Sequence, residues 1–452
     1  MKSALFITSA FPPEENGGTI RISKLAKYLP QTDWQLTILT ARPPRSLSVM
    51  HDELFENTIV YRAPRCDITG PIARSVAFTK RCIFIGTQWV KKYVTYINKK
   101  NKQLSLKDTE NINIRATPKR RLAEYILIPD DRALWIPSAA ILGLWSIYRK
   151  KPLIIYSTSP SPSTLIVGYI LKIASNLPWV VEFRDPWINN PFRIPRPFKL
   201  MELLDGWLER KILQNATHIV VTSSQYKLDI LHSYPMLNND SISYIPNGFD
   251  PEDFDGVNAK KFKQFTIVHA GNFYGARSAK YFLLAVHTAI NDHPSIMRNL
   301  KVLFIGQRDV EAAKSILDLG LENIVEQIGI VSHVQSIEYM KGADVLLLVP
   351  GPGAGTMPGK TFEYLAARKP ILALTGEGVV KDLVLSTNTG KVVSPENTNE
   401  IADCLVELFS LVNSPNGFHY PNEFCIKQIL KQYDRKEIAI RVALLMDSLV
   451  AI

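Results

Sequence analysis

The stretch GPGAGTMPGKTFEYLAARKP, residues 351–370, puts four glycines into nine residues and then spaces its apolar groups for a helix. The run before it, residues 345–349, is short and wholly apolar, as a strand buried on both faces should be. The pattern predicts a strand, a glycine loop and a helix over 360–367. Junctions of this kind hold phosphate. Free N–H groups at a helix start converge on one point, and glycine lets a ligand approach the backbone.

Two common phosphate fingerprints do not fit. A Walker A loop needs a glycine five residues before Gly359, where Ala354 stands. G-x-G-x-x-G fails at its third glycine, where Thr356 or Pro358 stands. A P-loop NTPase is therefore not expected, and the ligand has to be identified from the rest of the chain.

With 452 residues, two domains are the natural expectation. An apolar content of 46% and a charged content of 21% are those of a folded globular chain. Cys66, Cys82, Cys404 and Cys425 are scattered without a C-x-x-C pair, which suits reduced packing residues in a cytoplasmic protein. No run of apolar residues is long enough to span a bilayer. The apolar N-terminus meets Glu14 and Glu15 at once, so it reads as a first strand and not as a signal peptide.

The net charge of +11 asks for an anionic partner. Much of it lies in residues 80–121, where lysines and arginines alternate with Phe84, Trp89, Tyr93 and Tyr96. Such a mix suits a basic amphipathic segment on an anionic membrane surface, and equally an ordinary solvated helix followed by a basic loop. No recognition motif for nucleic acid accompanies it.

Strand and helix patterns alternate along the chain. Strands are expected over 3–8, 35–40, 153–157, 179–183, 218–222 and 242–245. A polar stretch at 250–263 reads as an interdomain linker, with Asp253-Phe254-Asp255 as a solvated acidic loop. Strands resume over 265–269, 302–305, 324–328, 345–349, 371–374 and 391–393. The fold class is therefore α/β, with two doubly wound parallel-sheet domains in tandem.

Three strand–loop–helix junctions have phosphate-site character. The first contains Gly17 and Gly18, the second is HAGNFYGARS (269–278) with Arg277 at the helix start, and the third is the opening stretch. In the third, Lys360 and Glu363 sit one turn apart, where a cation and an acceptor can hold a phosphate and a sugar hydroxyl. A tight turn, a surface arginine and an i,i+3 ion pair are the plainer alternatives. Gly306 and Gly329 follow strands, at the ends where open α/β sheets bind ligands. Glu182 closes the strand WVVEF, and Asp185 follows in RDPW. No metal-ligand spacing and no G-x-S-x-G elbow occur.

The segments YIPNGFDPEDF, VHAGNFYGARS, FIGQ, MKGADVLLL, PGKTFEYLAARKPILAL and TGKVVSP follow one another in an order and spacing that resemble the retaining glycosyltransferases of the GT-B fold, family 4. EFRDPW and FPPEENGGT resemble a bacterial branch that builds surface polysaccharides. The resemblance implies two Rossmann-like domains facing a cleft. Residues 1–255 would bind the acceptor, 256–418 the nucleotide sugar, and 419–452 would form a helix returning to the first domain.

It further implies transfer of a sugar from a nucleoside diphosphate, UDP by family weight, to a lipid-linked or polysaccharide acceptor, with retention and without metal or cofactor. The setting would be the cytoplasmic face of the membrane. Glu363 would accept from the donor ribose. The family's first glutamate falls at Gly355, so its contact would pass to the backbone of Thr356, Met357, Pro358 and Gly359. The family's arginine falls at Asn272 and its lysine at Arg277, leaving Lys360 to supply the second cation. Asp185 and Glu182 would orient the acceptor. A sugar-nucleotide epimerase or hydrolase of the same fold, or a non-catalytic scaffold, are the alternatives.

Overall fold

The computed structural model describes residues 1–14, 17–43, 58–65, 127–193, 195–294, 298–414 and 417–451. The first sheet comprises Lys2–Ile7 (β1), Trp34–Ala41 (β2), Thr58–Ala63 (β3), Ile154–Thr158 (β4), Trp179–Phe183 (β5), His218–Val221 (β6) and Ile242–Tyr244 (β7). Its order is β3-β2-β1-β4-β5-β6-β7, and every described pair is parallel. Helices Gly17–Tyr28 (α1), Ile136–Lys150 (α2), Pro162–Ser175 (α3), Lys199–Asn215 (α4) and Ser224–Ser233 (α5) cross between strands. The sequence pattern did not reveal β3. It is an edge strand, mostly half-buried and carrying Arg62, so it lacks the continuous apolar run of a central strand.

The second sheet comprises Phe265–Ala270 (β8), Leu300–Ile305 (β9), Val325–Gly329 (β10), Val345–Leu348 (β11), Ile371–Leu374 (β12) and Gly390–Val393 (β13). Its order, β10-β9-β8-β11-β12-β13, repeats the doubly wound plan. Its helices are Lys280–Asp292 (α6), Val310–Asp318 (α7), His333–Gly342 (α8), Lys360–Ala367 (α9), Val379–Ser386 (α10) and Thr398–Val412 (α11). In each sheet the winding reverses once, between β1 and β4 and between β8 and β11. The loops leaving those strands must diverge, and a crevice opens between them.

The C-terminal stretch is two helices, Glu423–Gln432 (α12) and Arg435–Val450 (α13). Asp434 breaks the run by capping α13, its carboxylate accepting from the Lys436 N–H at 2.8 Å. Ile429 and Leu430 of α12 pack on the second domain's core. Ile438, Val442 and Met446 of α13 pack on the first domain's core, and Lys2 reaches Asp447 at 2.6 Å. The break lies against the descending chain. The N–H of Phe249 donates to Tyr433 O at 3.0 Å and that of Arg435 to Phe249 O at 3.0 Å. A Cβ on Gly248 would lie 2.0 Å from Tyr433 O, so only glycine permits this crossing.

The expected linker at 250–263 is not a loose one. Asp250 is buried and accepts from Lys24 at 2.6 Å, Lys27 at 3.0 Å and Tyr28 Oη at 2.7 Å. Burial alone would raise its carboxyl, but these donors outweigh it and bring it down to about 2. Asp253 also pairs with Lys24, at 2.6 Å. The acidic segment is thus a strut between α1 and the second domain. Its polar composition resembled a linker because its partners lie over 220 residues away.

Candidate active site

The loops after β8 and β11 are far apart in sequence but leave adjacent strands, since Val345 pairs with Ile267. Arg277 and Lys360 therefore come from loops that leave neighbouring strands, and both act electrostatically on His269 between them. Arg277 donates from Nε to Pro350 O at 2.6 Å and from Nη1 to Tyr274 Oη at 2.6 Å. Its guanidinium lies 4.9 Å from the Tyr274 ring and 5.1 Å from the ring of Phe192, which comes from the first domain.

Lys360 sits 2.6 Å from Glu363. Burial would raise the Glu363 carboxyl; the Lys360 ammonium and the His333 ring prevail and hold it at about 2. Glu363 is consequently an ionised acceptor at the floor of the crevice. His269, beneath the same loops, donates from Nδ1 to Leu347 O at 2.9 Å. Burial, with Arg277 and Lys360 nearby, lowers its pKa to about 4, so it is neutral at physiological pH. With the ring neutral, Nδ1 carries the proton that meets the carbonyl.

The glycine loop differs from expectation in detail. The Thr356 N–H is used on Gly353 O at 3.0 Å, and that of Thr361 on Pro358 O at 3.0 Å. Pro358 has no N–H. The amides left for an anion are those of Met357, Gly359 and Lys360 at the α9 N-terminus. Gly351, at φ +84°, holds the loop against Arg277. A Cβ there would lie 2.8 Å from Arg277 Cγ and 2.9 Å from Phe192 Cζ.

Gly355 faces the first domain. A Cβ on it would meet Ser223 Oγ at 3.4 Å and Gln225 Cβ at 3.5 Å. A side chain at this position would therefore start in van der Waals contact with the beginning of α5. Asn272 does not stand in for a cation. Its Oδ1 accepts from the Gln307 N–H at 2.6 Å and ties the β8 loop to the β9 loop. Gly306 in turn donates to Gly329 O at 3.0 Å, so Asn272, Gly306 and Gly329 form one row along the sheet's C-terminal edge.

In the first domain the two expected carboxylates part company. Glu182 is fully buried. Its Oε1 accepts from Arg21 Nε at 2.9 Å, Arg21 Nη2 at 2.8 Å and Tyr156 Oη at 2.7 Å, and Oε2 from Thr158 at 2.6 Å. Burial opposes its charge, but Arg21 overrides burial and the carboxyl is depressed. With its oxygens engaged and no solvent access, Glu182 cannot orient an acceptor. It fastens α1 to β4 and β5.

Asp185 is exposed and lines a cavity of about 270 Å³ with Phe183, Trp187, Asn190, Phe192 and Arg193. Phe192 thus belongs both to this cavity and to the wall holding Arg277. Gly17 and Gly18 open α1, and Gly18 O accepts from Arg184 Nη1 at 2.6 Å. Phe192, Tyr274 and His333 were not foreseen, because loop aromatics and a single histidine carry no periodicity. Residues 80–121, Cys66 and Cys82 lie outside the described residues. Cys404 is buried and Cys425 is exposed, both free.

Two doubly wound parallel-sheet domains, with their winding reversals at β1/β4 and β8/β11, define the two-domain GT-B architecture. Residues 264–410 match the family model described as Glycosyl transferases group 1, and residues 109–253 match that described as Glycosyltransferase Family 4. Together the matches take in well over half of the chain, and the chain belongs to these GT-B glycosyltransferases.

A search of curated proteins by sequence finds no match. Among solved structures, sucrose-phosphate synthase from Thermosynechococcus elongatus is similar over 100% of both chains, at 14% identity and TM-score 0.66. Anabaena Alr3699/HepE, solved in complex with UDP, is similar over 99% of this chain and 100% of its own, at 14% identity and TM-score 0.61. A mutant of TarM from S. aureus, solved with fondaparinux, alpha-GlcNAc-glycerol and UDP, is similar over 100% of both chains, at 13% identity and TM-score 0.60. At these identities the likeness concerns the fold.

Proposed function

We propose that the chain transfers a sugar from a UDP-sugar to a lipid-linked or polysaccharide acceptor, with retention and without a metal ion or other cofactor, at the cytoplasmic face of a membrane. One feature supports the reading: Arg277 and Lys360 both act electrostatically on His269, between the loops that leave the paired strands β8 and β11, and Lys360 opens α9. A departing diphosphate gains negative charge as the glycosidic bond breaks. Two fixed cations and preorganised amides stabilise that charge in the transition state, and they need no reorganisation to do so.

Glu363 accepts from a ribose hydroxyl. The acceptor enters from the cavity lined by Asp185 and Trp187, on the far side of Phe192. In a front-face displacement the leaving phosphate takes the acceptor proton, so no strong protein base is required, and attack and departure on one face give retention. The solved UDP complex of a structural neighbour supports the choice of base.

Calorimetry with UDP and GDP, repeated with EDTA present, tests the reading. UDP should bind and EDTA should leave the affinity unchanged. A UDP-sugar panel in a thermal-shift assay then selects the donor, since stabilisation grows with the logarithm of ligand over its dissociation constant. Binding of neither nucleotide by the wild type, or equal UDP affinity in Arg277→Ala, would overturn it.

A further inference from the structure

Two helices of the first domain are built inside out. In α2 the buried positions are Ala139, Ala140, Gly143 and Ser146, all small. The exposed ones are Ile141, Leu144, Trp145 and Tyr148, spaced i, i+3, i+4 and i+7. In α4 the buried positions include Asp205 and Glu209. Asp205 is held by Arg193 at 2.5 Å and Arg196 at 2.6 Å, and Glu209 by Tyr234 at 2.7 Å. The exposed ones include Leu200, Leu203, Leu204 and Trp207.

A helix on a soluble surface places its large apolar side inward. Here, among the described residues, only Trp145 of the large outward groups has a ring partner, an edge contact with Tyr61 at 5.2 Å, and it still leaves nearly half of its surface open. Trp145 is 46% exposed, Trp207 54% and Tyr148 79%. α3 packs against both helices and adds exposed Ile173. All three cover the same side of the sheet, so their outer sides face one direction. Beside Trp145 runs a shallow apolar groove bounded by Pro64, Ile141 and Leu142.

The charge around this face is predominantly basic. Arg149, Lys150 and Lys151 end α2, and Lys199 and Arg210 flank the α4 stripe, all exposed. Glu202 is the one exposed acid on the three helices. Apolar stripes with tryptophan and tyrosine, rimmed by lysine and arginine, fit the boundary between headgroups and acyl chains. A second copy of the chain would bring a like-charged rim against this one.

We infer that the outer side of α2, α3 and α4 docks on an anionic lipid bilayer. The inference suits a lipid-linked acceptor but uses no step of the transfer reaction, and its test needs no nucleotide.

The test is flotation of the full-length chain with vesicles of phosphatidylcholine, with and without phosphatidylglycerol. The wild type should float with the anionic vesicles, should not float with pure phosphatidylcholine, and should be released by salt. Trp145→Ser with Trp207→Ser should cut the bound fraction's partition coefficient by at least ~10-fold, the scale of losing two inserted aromatic rings. Lys150→Glu with Lys151→Glu should weaken it and reduce its salt dependence. The lysine variant should keep the wild-type thermal midpoint because both side chains are exposed, and the tryptophan variant should lower it only by the one edge contact Trp145 makes with Tyr61.

A wild type that stays unbound overturns the inference. So does vesicle binding that survives both sets of substitutions, which would place the contact elsewhere on the chain. Sedimentation velocity supplies the remaining outcome: a wild-type dimer made monomeric by the tryptophan substitutions would assign the face to a second copy and likewise overturn it.

Discussion

Glu182→Gln separates a structural carboxylate from a chemical one. The substitution keeps the shape of the side chain and removes its charge. Arg21 then stays in place, 2% exposed, with no counter-charge. Its remaining contacts are to the carbonyls of Pro246 at 2.6 Å and Ile245 at 3.3 Å, together with a neutral amide in place of the carboxylate. The amide also turns an N–H₂ or an oxygen toward donors that expected two acceptors.

Breaking one side of a buried ion pair costs about 3–5 kcal/mol. For a domain of this size that loss lowers the unfolding midpoint by on the order of 10 °C. All seven tryptophans precede residue 208, so selectively excited tryptophan fluorescence follows the first domain alone. The pH dependence gives an internal check. Glu182 is depressed in the folded state, so its stabilisation is complete above the ordinary carboxylate value and is lost as pH falls through the folded one. The gap between wild type and Glu182→Gln should therefore narrow below about pH 4. Replacing the pair together, Arg21→Met with Glu182→Leu, should recover most of the loss, since neither charge is then buried alone. An unchanged fluorescence midpoint together with a collapse in turnover would refute this account and return Glu182 to the reaction.

Three further outcomes follow from the site. Lys360→Ala should weaken UDP binding by ~10–100-fold in calorimetry, the range for one lost charge-assisted hydrogen bond; wild-type affinity would remove Lys360 from the diphosphate clamp. Gly351→Ala should cost ~1–2 kcal/mol of second-domain stability through its left-handed backbone and should also weaken UDP binding, because the new methyl displaces Arg277. Measured unfolding against pH should show Glu363 contributing about 3 kcal/mol at neutral pH, lost as pH falls from about 4.5 toward about 2; Glu363→Gln should abolish that segment of the slope.

The elements that could be read from the chain were those whose signal is local. Val345–Leu348 and Ile371–Leu374 are continuous apolar runs, and Lys360–Ala367 follows a glycine loop with helical spacing, so each declared itself within ten residues. The same locality put Lys360 at a helix start, whereas Arg277 lies in a turn bridged to Tyr274, three residues before α6. It also misled. Residues 250–263 looked like a linker, and Asp253 solvated, because their lysine partners are on α1, and Glu182 looked available because Arg21 is 161 residues away.

What the sequence by itself determined was the alternation of strand and helix, the two-domain plan and the glycine loop, because backbone conformation responds to neighbours along the chain. The tertiary structure decided which strands became adjacent. β8 meets β11 across nearly eighty residues, and only that pairing brings two cations to bear on one histidine, His269. It also decided which carboxylate is buried and which helix side faces outward, because burial is set by what packs above a side chain, and spacing along the chain does not record that.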